Sequence, residues 1–239
     1  MSIYCISDIH GCYDEFMAVL DKAQFNSEKD ILYVLGDVVD RGSHHVDCLG
    51  FIMNTKNVHM IMGNHEKMML DFLAGNDKHN DWYYNGGRFT ESELKQLANE
   101  ERDEILTYIK SLPYYKTIRV GDRKYFLSHA GLNPEVSFKH QELDTLVWSR
   151  EEFYLKKALP EYICIFGHTQ TYYILNGFCS VWFDTKYADK VDIDCGCAYG
   201  GAMALLRLDD GTIFYEKSKR GNFYRYNLVE SQAPSGFFG

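Results

Sequence analysis

The sequence has no apolar run approaching the ~20 residues that a membrane-spanning helix needs, no charged-then-apolar leader and no internal repeat. Ile3 already begins a strand-like segment, so the chain is expected to be cytoplasmic and not to engage membranes. It also lacks a cysteine framework. Seven cysteines are an odd number, and Cys195-Xaa-Cys197 has no second pair with which to form a zinc site. Cys5, Cys164 and Cys179 lie in apolar runs and read as buried, reduced thiols. Positive charge is in deficit: 25 Lys and Arg against 34 Asp and Glu leave a net −9, which argues against a nucleic-acid partner. The short Lys217-Ser218-Lys219-Arg220 run reads as a solvated patch. At 239 residues the chain fits one domain with a sizeable core.

What is present is a series of five motifs: Asp8-Ile9-His10-Gly11, Gly36-Asp37-Val38-Val39-Asp40-Arg41-Gly42, Gly63-Asn64-His65-Glu66, His129-Ala130-Gly131 and Gly167-His168-Thr169. Each follows an apolar run that reads as a strand. Together they supply two Asp, one Asn and three His, enough for two divalent cations, while two arginines and a further histidine remain to handle a phosphate. Mixed carboxylate, amide and imidazole donors suit Mn²⁺, Fe or Zn²⁺ better than Mg²⁺ or Ca²⁺, which take oxygen. Asp8 and His10 skip one residue, so on an extended strand end both would point the same way and grip one ion. Asp37 has two oxygens and can bridge two ions. Asn64, His129 and His168 would complete the shell of the second ion. With only Asp8 and Asp37 as anionic ligands, two cations would leave a surplus of positive charge that attracts phosphate.

Taken singly, each motif has a structural reading. Gly63-Asn64-His65-Glu66 fits a helix start with Asn64 as its N-cap, and His129 or His168 fits a strand end bonded to backbone. Four of the nine histidines fall in these motifs, and it is the conjunction that points to a metal site. His44, His45, His59, His79 and His140 have no such setting and read as structural or solvent-facing.

Strands are predicted over 2–7, 31–35, 58–62, 124–128 and 162–166. Residues 31–35 are apolar without alternation, as in a strand buried on both faces. Between the first strands, Phe16, Val19, Leu20 and Ala23 share one helical face, and Val46, Leu49, Gly50 and Met53 repeat the spacing. This alternation implies βαβ units, with the motifs at the carboxyl ends where open α/β sheets place their sites. The later part turns β-rich over 178–183, 203–208 and 212–217, the last two joined by Asp209-Asp210-Gly211. Residues 76–112 read as a helical insert, either a wall of a substrate cleft or a solvated helix pair. The domain is expected to span 1–217, with 218–239 as a C-terminal tail that is loosely ordered or docks Phe223, Tyr224 and Tyr226 on the body.

The motif set resembles the phosphoprotein phosphatase branch of the metallophosphoesterases, and most closely its compact bacterial and phage type. The resemblance runs from about Ile3 to Leu208. It includes Trp82 followed by Asn85-Gly86-Gly87, Trp148-Ser149-Arg150-Glu151 and Ile193-Asp194-Cys195-Gly196. Ser43, where a proline often stands, and Cys195, in place of a threonine, depart from the pattern without removing a ligand. The resemblance implies an α/β fold, a sandwich of two mixed β-sheets flanked by helices. It implies that Asp8, His10 and Asp37 hold one ion, and that Asp37, Asn64, His129 and His168 hold a second. Arg41 and Arg150 would bind the phosphate oxygens, with Asn64 also on the substrate side.

A hydroxide bridging the two ions, expected to be Mn²⁺ with Fe or Zn²⁺ as other fits, would then attack phosphorus in line. His65 would protonate the leaving oxygen, with Asp40 as its orienting partner. Two simpler roles compete: Arg41 as a loop-bracing charge, Arg150 as a surface charge beside Glu151. The expected activity is a serine/threonine phosphoprotein phosphatase acting on phosphorylated protein or a small phosphoester. An acidic body would favour basic residues near the phosphate. The alternative is a diadenosine tetraphosphate hydrolase of the same fold; the symmetrical bacterial enzymes of that type resemble this chain but usually lack an acid at the position of Asp40.

Overall fold

The computed structural model describes residues 1–221 and 227–238. In chain order the elements are β1 (Ile3–Ile6), α1 (Tyr13–Lys22), β2 (Ile31–Val34), α2 (His45–Asn54), β3 (Val58–Met60) and α3 (Asn64–Leu73). Then come α4 (Asp81–Tyr84), α5 (Gly87–Leu94), α6 (Asn99–Lys110), β4 (Tyr115–Val120), β5 (Arg123–Ser128), α7 (Leu143–Trp148) and α8 (Glu151–Tyr154). The remainder is β6 (Tyr162–Phe166), α9 (Thr171–Ile174), β7 (Phe178–Cys179), β8 (Trp182–Phe183), β9 (Lys190–Asp192), β10 (Ala202–Arg207), β11 (Ile213–Lys217) and β12 (Asn227–Leu228). One five-stranded sheet has the order β11-β10-β1-β2-β3, the other β4-β5-β6-β9-β8. Both are mixed: β1, β2 and β3 run parallel, as do β5, β6 and β9, and the strands outside them pair antiparallel.

Side-chain alternation along the strands builds four layers. In β1, Ile3 and Cys5 face the second sheet, while Tyr4 and Ile6 face helices. In β5 and β6, Tyr125, Leu127, Ile163 and Ile165 fill the space between the sheets. Phe126, Cys164 and Phe166 point the other way, onto Leu146 of α7 and Phe153 of α8. Phe16, Val19 and Leu20 of α1 cover the outer face of the first sheet. β1, β2, β5 and β6 are therefore buried on both faces, as the run 31–35 suggested. All seven cysteines are free and buried.

The structure departs from expectation in three places. Residues 178–183 form not one strand but two dipeptide strands, β7 and β8, in different sheets. The strands β4 and β9 were not expected. The buried face of α2 is His45, Cys48, Leu49 and Ile52, one position away from the expected face. On that face Glu93 of α5 pairs with His45 Nδ1 at 2.8 Å and accepts the Val46 N–H at 2.9 Å, beside the buried Cys48, Leu49 and Ile52. Of the two readings of 76–112, the packing of α4–α6 weighs against the solvated pair. Trp82, Leu94, Ile105 and Ile109 belong to the same core cluster as α1 and α2. Near the C-terminus, Phe237 and Phe238 pack into the inter-sheet core, and Arg123 donates to the carbonyls of Phe237 and Gly236. Phe223, Tyr224 and Tyr226 lie outside the described residues. No helix among the described residues is long and apolar enough to cross a membrane.

Candidate active site

The carboxyl ends of β1, β2, β3, β5 and β6 converge, and each delivers one of the five motifs. The chain leaves β1 at Ile6 and β2 at Val34, and the two following loops run side by side: Asp8 N–H donates to Gly36 O, His10 N–H to Asp37 O and Gly11 N–H to Val38 O. These loops are not extended. Asp8, His10, Asp37, Asp40, Arg41 and His168 all have positive φ, between 47° and 72°. Asp8 and His10 thus reach the site from left-handed turns, not from a strand end as their spacing suggested.

The donor atoms form two groups, His10–Asp37–His65 and Asp37–His129–His168, each with its atoms within 4.8 Å of one another. Asp37 belongs to both. Its Oδ2 lies 3.6 Å from His10 Nε2 and 3.8 Å from His65 Nε2, and its Oδ1 lies 3.3 Å from His129 Nε2. Asn64 Oδ1 is 2.8 Å from His129 Nε2. Asp8 accepts hydrogen bonds from Ser7 Oγ and from His168 N–H at 3.1 Å, and it lines the same cleft. The cleft has a volume of about 430 Å³; Arg41, Asn64, Arg150, Thr169, Asp194 and Tyr199 also face it.

These residues fit a pair of divalent cations on three counts. His10 Nδ1 and His129 Nδ1 each face a backbone carbonyl, Val39 O and Leu35 O, at 2.7 Å. Donating there leaves each Nε2 lone pair for a metal. His168 Nε2 is buried with no hydrogen-bond partner among the described residues. The charge balance is strained without ions. Burial, Arg41 and His65 hold His10 well below its usual pKa. Burial and His129 do the same to His168. Both are therefore neutral, as ligands must be. Burial opposes charge on His129, yet Asp37 and Asp8 push it up to about 10, a proton held where the carboxylates call for a cation. Burial would raise Asp37, but His129, His65 and His10 hold it well below the carboxylate range.

Around the ligands lies machinery that the motifs did not announce. Glu66, fully buried, accepts the N–H groups of Asp37 at 2.9 Å, Val38 at 2.8 Å, Val39 at 3.2 Å and Gly63 at 3.1 Å. It pegs the turn that carries Asp37. Only its local bond was legible: a glutamate three residues after Gly63 can accept the Gly63 N–H as the reciprocal half of a capping box. The helix N-cap is Gly63, and Asn64 is the first helical residue. Asp192 and Asp194 are buried beside Asp8. Burial raises both well above the usual range, and so does their mutual repulsion with nearby carboxylates. Both carboxyls are thereby held toward their neutral forms beside Asp8.

Arg41 donates to His10 Nε2, and its guanidinium lies 5.1 Å from the centre of the Tyr199 ring. Arg150 reaches His168 O at 3.4 Å and Thr169 Oγ1 at 3.3 Å, which sets it in the cleft wall. Asp40, wholly buried, accepts from His65 Nδ1 at 2.6 Å. That bond places the second ring nitrogen, Nε2, on the side of Asp37.

The family model described as calcineurin-like phosphoesterase matches residues 1–199. The serine/threonine-protein phosphatase 2 of Salmonella typhimurium is 30% identical over 209 residues, covering 86% of this chain and 92% of that enzyme. The symmetrical bis(5'-nucleosyl)-tetraphosphatase of Haemophilus ducreyi is 29% identical over 224 residues, covering 87% of this chain and 77% of that one. A solved structure of a candidate diadenosine tetraphosphatase superposes with a TM-score of 0.66 at 19% identity, covering 92% of this chain and 95% of that one. At that identity the likeness is one of fold.

Proposed function

This chain belongs to the calcineurin-like phosphoesterases and is a hydrolase of phosphoesters, and from that premise we propose that it is a metal-dependent phosphomonoesterase acting on phosphoserine and phosphothreonine in proteins. The family works through a dinuclear metal centre. Asp8, His10 and Asp37 would hold one ion; Asp37, Asn64, His129 and His168 would hold the other. The mixed oxygen and nitrogen donors suit Mn²⁺, with Fe or Zn²⁺ next. When bound, the pair supplies Lewis acidity and a water acidic enough to serve as nucleophile near neutral pH. The catalytic unit is assigned to residues 1–217, with 76–112 as its helical insert and 218–239 as a tail. Seven buried free thiols accord with a reducing cytoplasm.

Arg41 and Arg150 bind the phosphate oxygens. Their planar forks hold two oxygens each and stay charged throughout. Asn64 adds an amide at the same face. His65 gives a proton to the departing oxygen. The observation that carries the choice of substrate is the 2.6 Å bond from His65 Nδ1 to Asp40, which keeps the ring aimed. A serine or threonine alkoxide is a poor leaving group and needs that proton. A polyphosphate leaves as a stable anion and gains less from it.

The test is a side-by-side measurement of kcat/KM on phosphoserine peptide, nitrophenyl phosphate and diadenosine tetraphosphate, with metal content determined. Phosphopeptide should be preferred over the dinucleotide. His65→Asn should keep both metals and lower kcat on the peptide by ~10²–10⁴-fold, and by less on nitrophenyl phosphate, whose leaving group needs no proton. A preference for the dinucleotide would replace this reading with a tetraphosphate hydrolase.

A further inference from the structure

We propose that α4 and α5 form a positioning bracket for the proton donor, in which Trp82 and Thr90 fix Asp40 so that Asp40 can aim His65. The proposal rests on the reading of His65 given above and adds residues that touch neither substrate nor metal. Trp82 is completely buried, and its indole N–H lies 3.0 Å from both carboxylate oxygens of Asp40. An indole nitrogen can only donate, and when buried it must find an acceptor. Thr90, also fully buried, clamps the same residue twice: its hydroxyl accepts the Asp40 N–H at 2.8 Å and donates to Asp40 Oδ1 at 2.6 Å. Asp40 needs such a clamp, because its φ of 72° is one that a non-glycine residue adopts at a cost. With Trp82 and Thr90 both donating, the carboxylate is turned so that Oδ2 meets His65 Nδ1.

The glycines between these residues show that the segment is compressed onto this target. A Cβ at Gly87 would sit 2.4 Å from the indole ring of Trp82. At Gly86, where φ is +101°, it would come within 3.1 Å of the Arg41 nitrogen. The run from Trp82 to Thr90 therefore closes over Asp40 and Arg41 together, the proton-donor partner and a phosphate ligand. A core role alone accounts for a buried tryptophan ring against Phe72 at 5.0 Å. It does not account for a donor on each carboxylate oxygen and a hydroxyl bonded to both backbone and side chain of one residue.

The variants that test this delete a hydrogen bond and keep the shape: Trp82→Phe, Thr90→Val and, as the conservative control, Thr90→Ser. Each is assayed on phosphoserine peptide and on nitrophenyl phosphate, alone and combined with Asp40→Asn, with metal content measured throughout. Trp82→Phe and Thr90→Val should each lower kcat on the peptide about 10-fold, with KM and metal content little changed and a loss of less than about 3-fold on nitrophenyl phosphate. Thr90→Ser should recover most of the loss. On the Asp40→Asn background, both substitutions should cost less than about 2-fold more, because they act through that residue. Equal losses on the two substrates, or losses that multiply with Asp40→Asn, overturn the bracket. If Thr90→Val fails to fold, Trp82→Phe and Thr90→Ser decide by the same ratios. Should Asp40→Asn and His65→Asn themselves show no dependence on leaving group, it is the proton-donor reading that falls.

Discussion

Asp37 is the residue at which the two candidate ion positions meet. Its carboxylate borders His10 and His65 through one oxygen and His129 through the other, and its backbone is held in a left-handed turn by Glu66. Left-handed φ at a non-glycine residue costs of order 1–3 kcal/mol, and six of the ten proposed site residues adopt it. The cost is offset by hydrogen bonds that reach across the chain: the paired loops after β1 and β2, the Glu66 peg and the Thr90 clamp. An amide at position 37 cannot present two anionic oxygens. Asp37→Asn should therefore lose both ions, not one, and lower activity by more than ~10²-fold. Metal analysis of the purified variant checks this; one retained equivalent would refute the shared role. The candidate ligands were legible because each lies in a short motif after an apolar run. The left-handed turns were not, because only long-range bonds make them affordable.

Among the elements, the strands buried on both faces were read almost to the residue, since an unbroken apolar run of four to six carries its own signal. The missed strands carry little. β4 is a half-exposed edge, Tyr115–Val120. β9 is three residues, two of them charged; Lys190 is buried only because Asp184 and Asp189 pair with it, at 2.7 Å in the case of Asp184. The hairpin between β10 and β11 was read from Asp209-Asp210-Gly211. There Asp210 accepts from Arg207 Nε at 2.9 Å and Nη2 at 2.6 Å and from Thr212 N–H at 3.0 Å. Arg207 is the main cause that brings the Asp210 pKa down to about 2. Because the folded value is depressed from 3.8, the stabilisation is complete above that pH and is lost as pH falls through about 2. The pair is half-exposed, so Asp210→Ala should cost below about 1 kcal/mol near neutrality, and the penalty should vanish toward pH 2. Denaturant unfolding at several pH values would show it, and a penalty that grows in acid would contradict the assignment.

Over the whole molecule, the sandwich brings residues from 8 to 168 to one edge. The bond from His168 N–H to Asp8 spans 160 residues of sequence. The same scale settles the docking of Phe237 and Phe238, which pack against Tyr125 and Phe183 between the sheets. Phe238→Ala should cost about 3 kcal/mol in urea unfolding while leaving metal content unchanged, since the ring lies in the inter-sheet core and not in the cleft; no loss of stability would show that the contact contributes nothing. The sequence by itself determined the candidate ligand motifs, the α/β layering and the parallel strands that carry the motifs, because spacing, periodicity and strand-end position are local properties. Only the tertiary structure decided that Glu66 pegs the turn of Asp37, that Trp82 and Thr90 clamp Asp40, and that His45 and Val46 of α2 meet Glu93. Each of these is a contact between side chains or backbone groups 25 to 50 residues apart, or is imposed by one. No local pattern records such a pairing, because its energy exists only once the chain has closed.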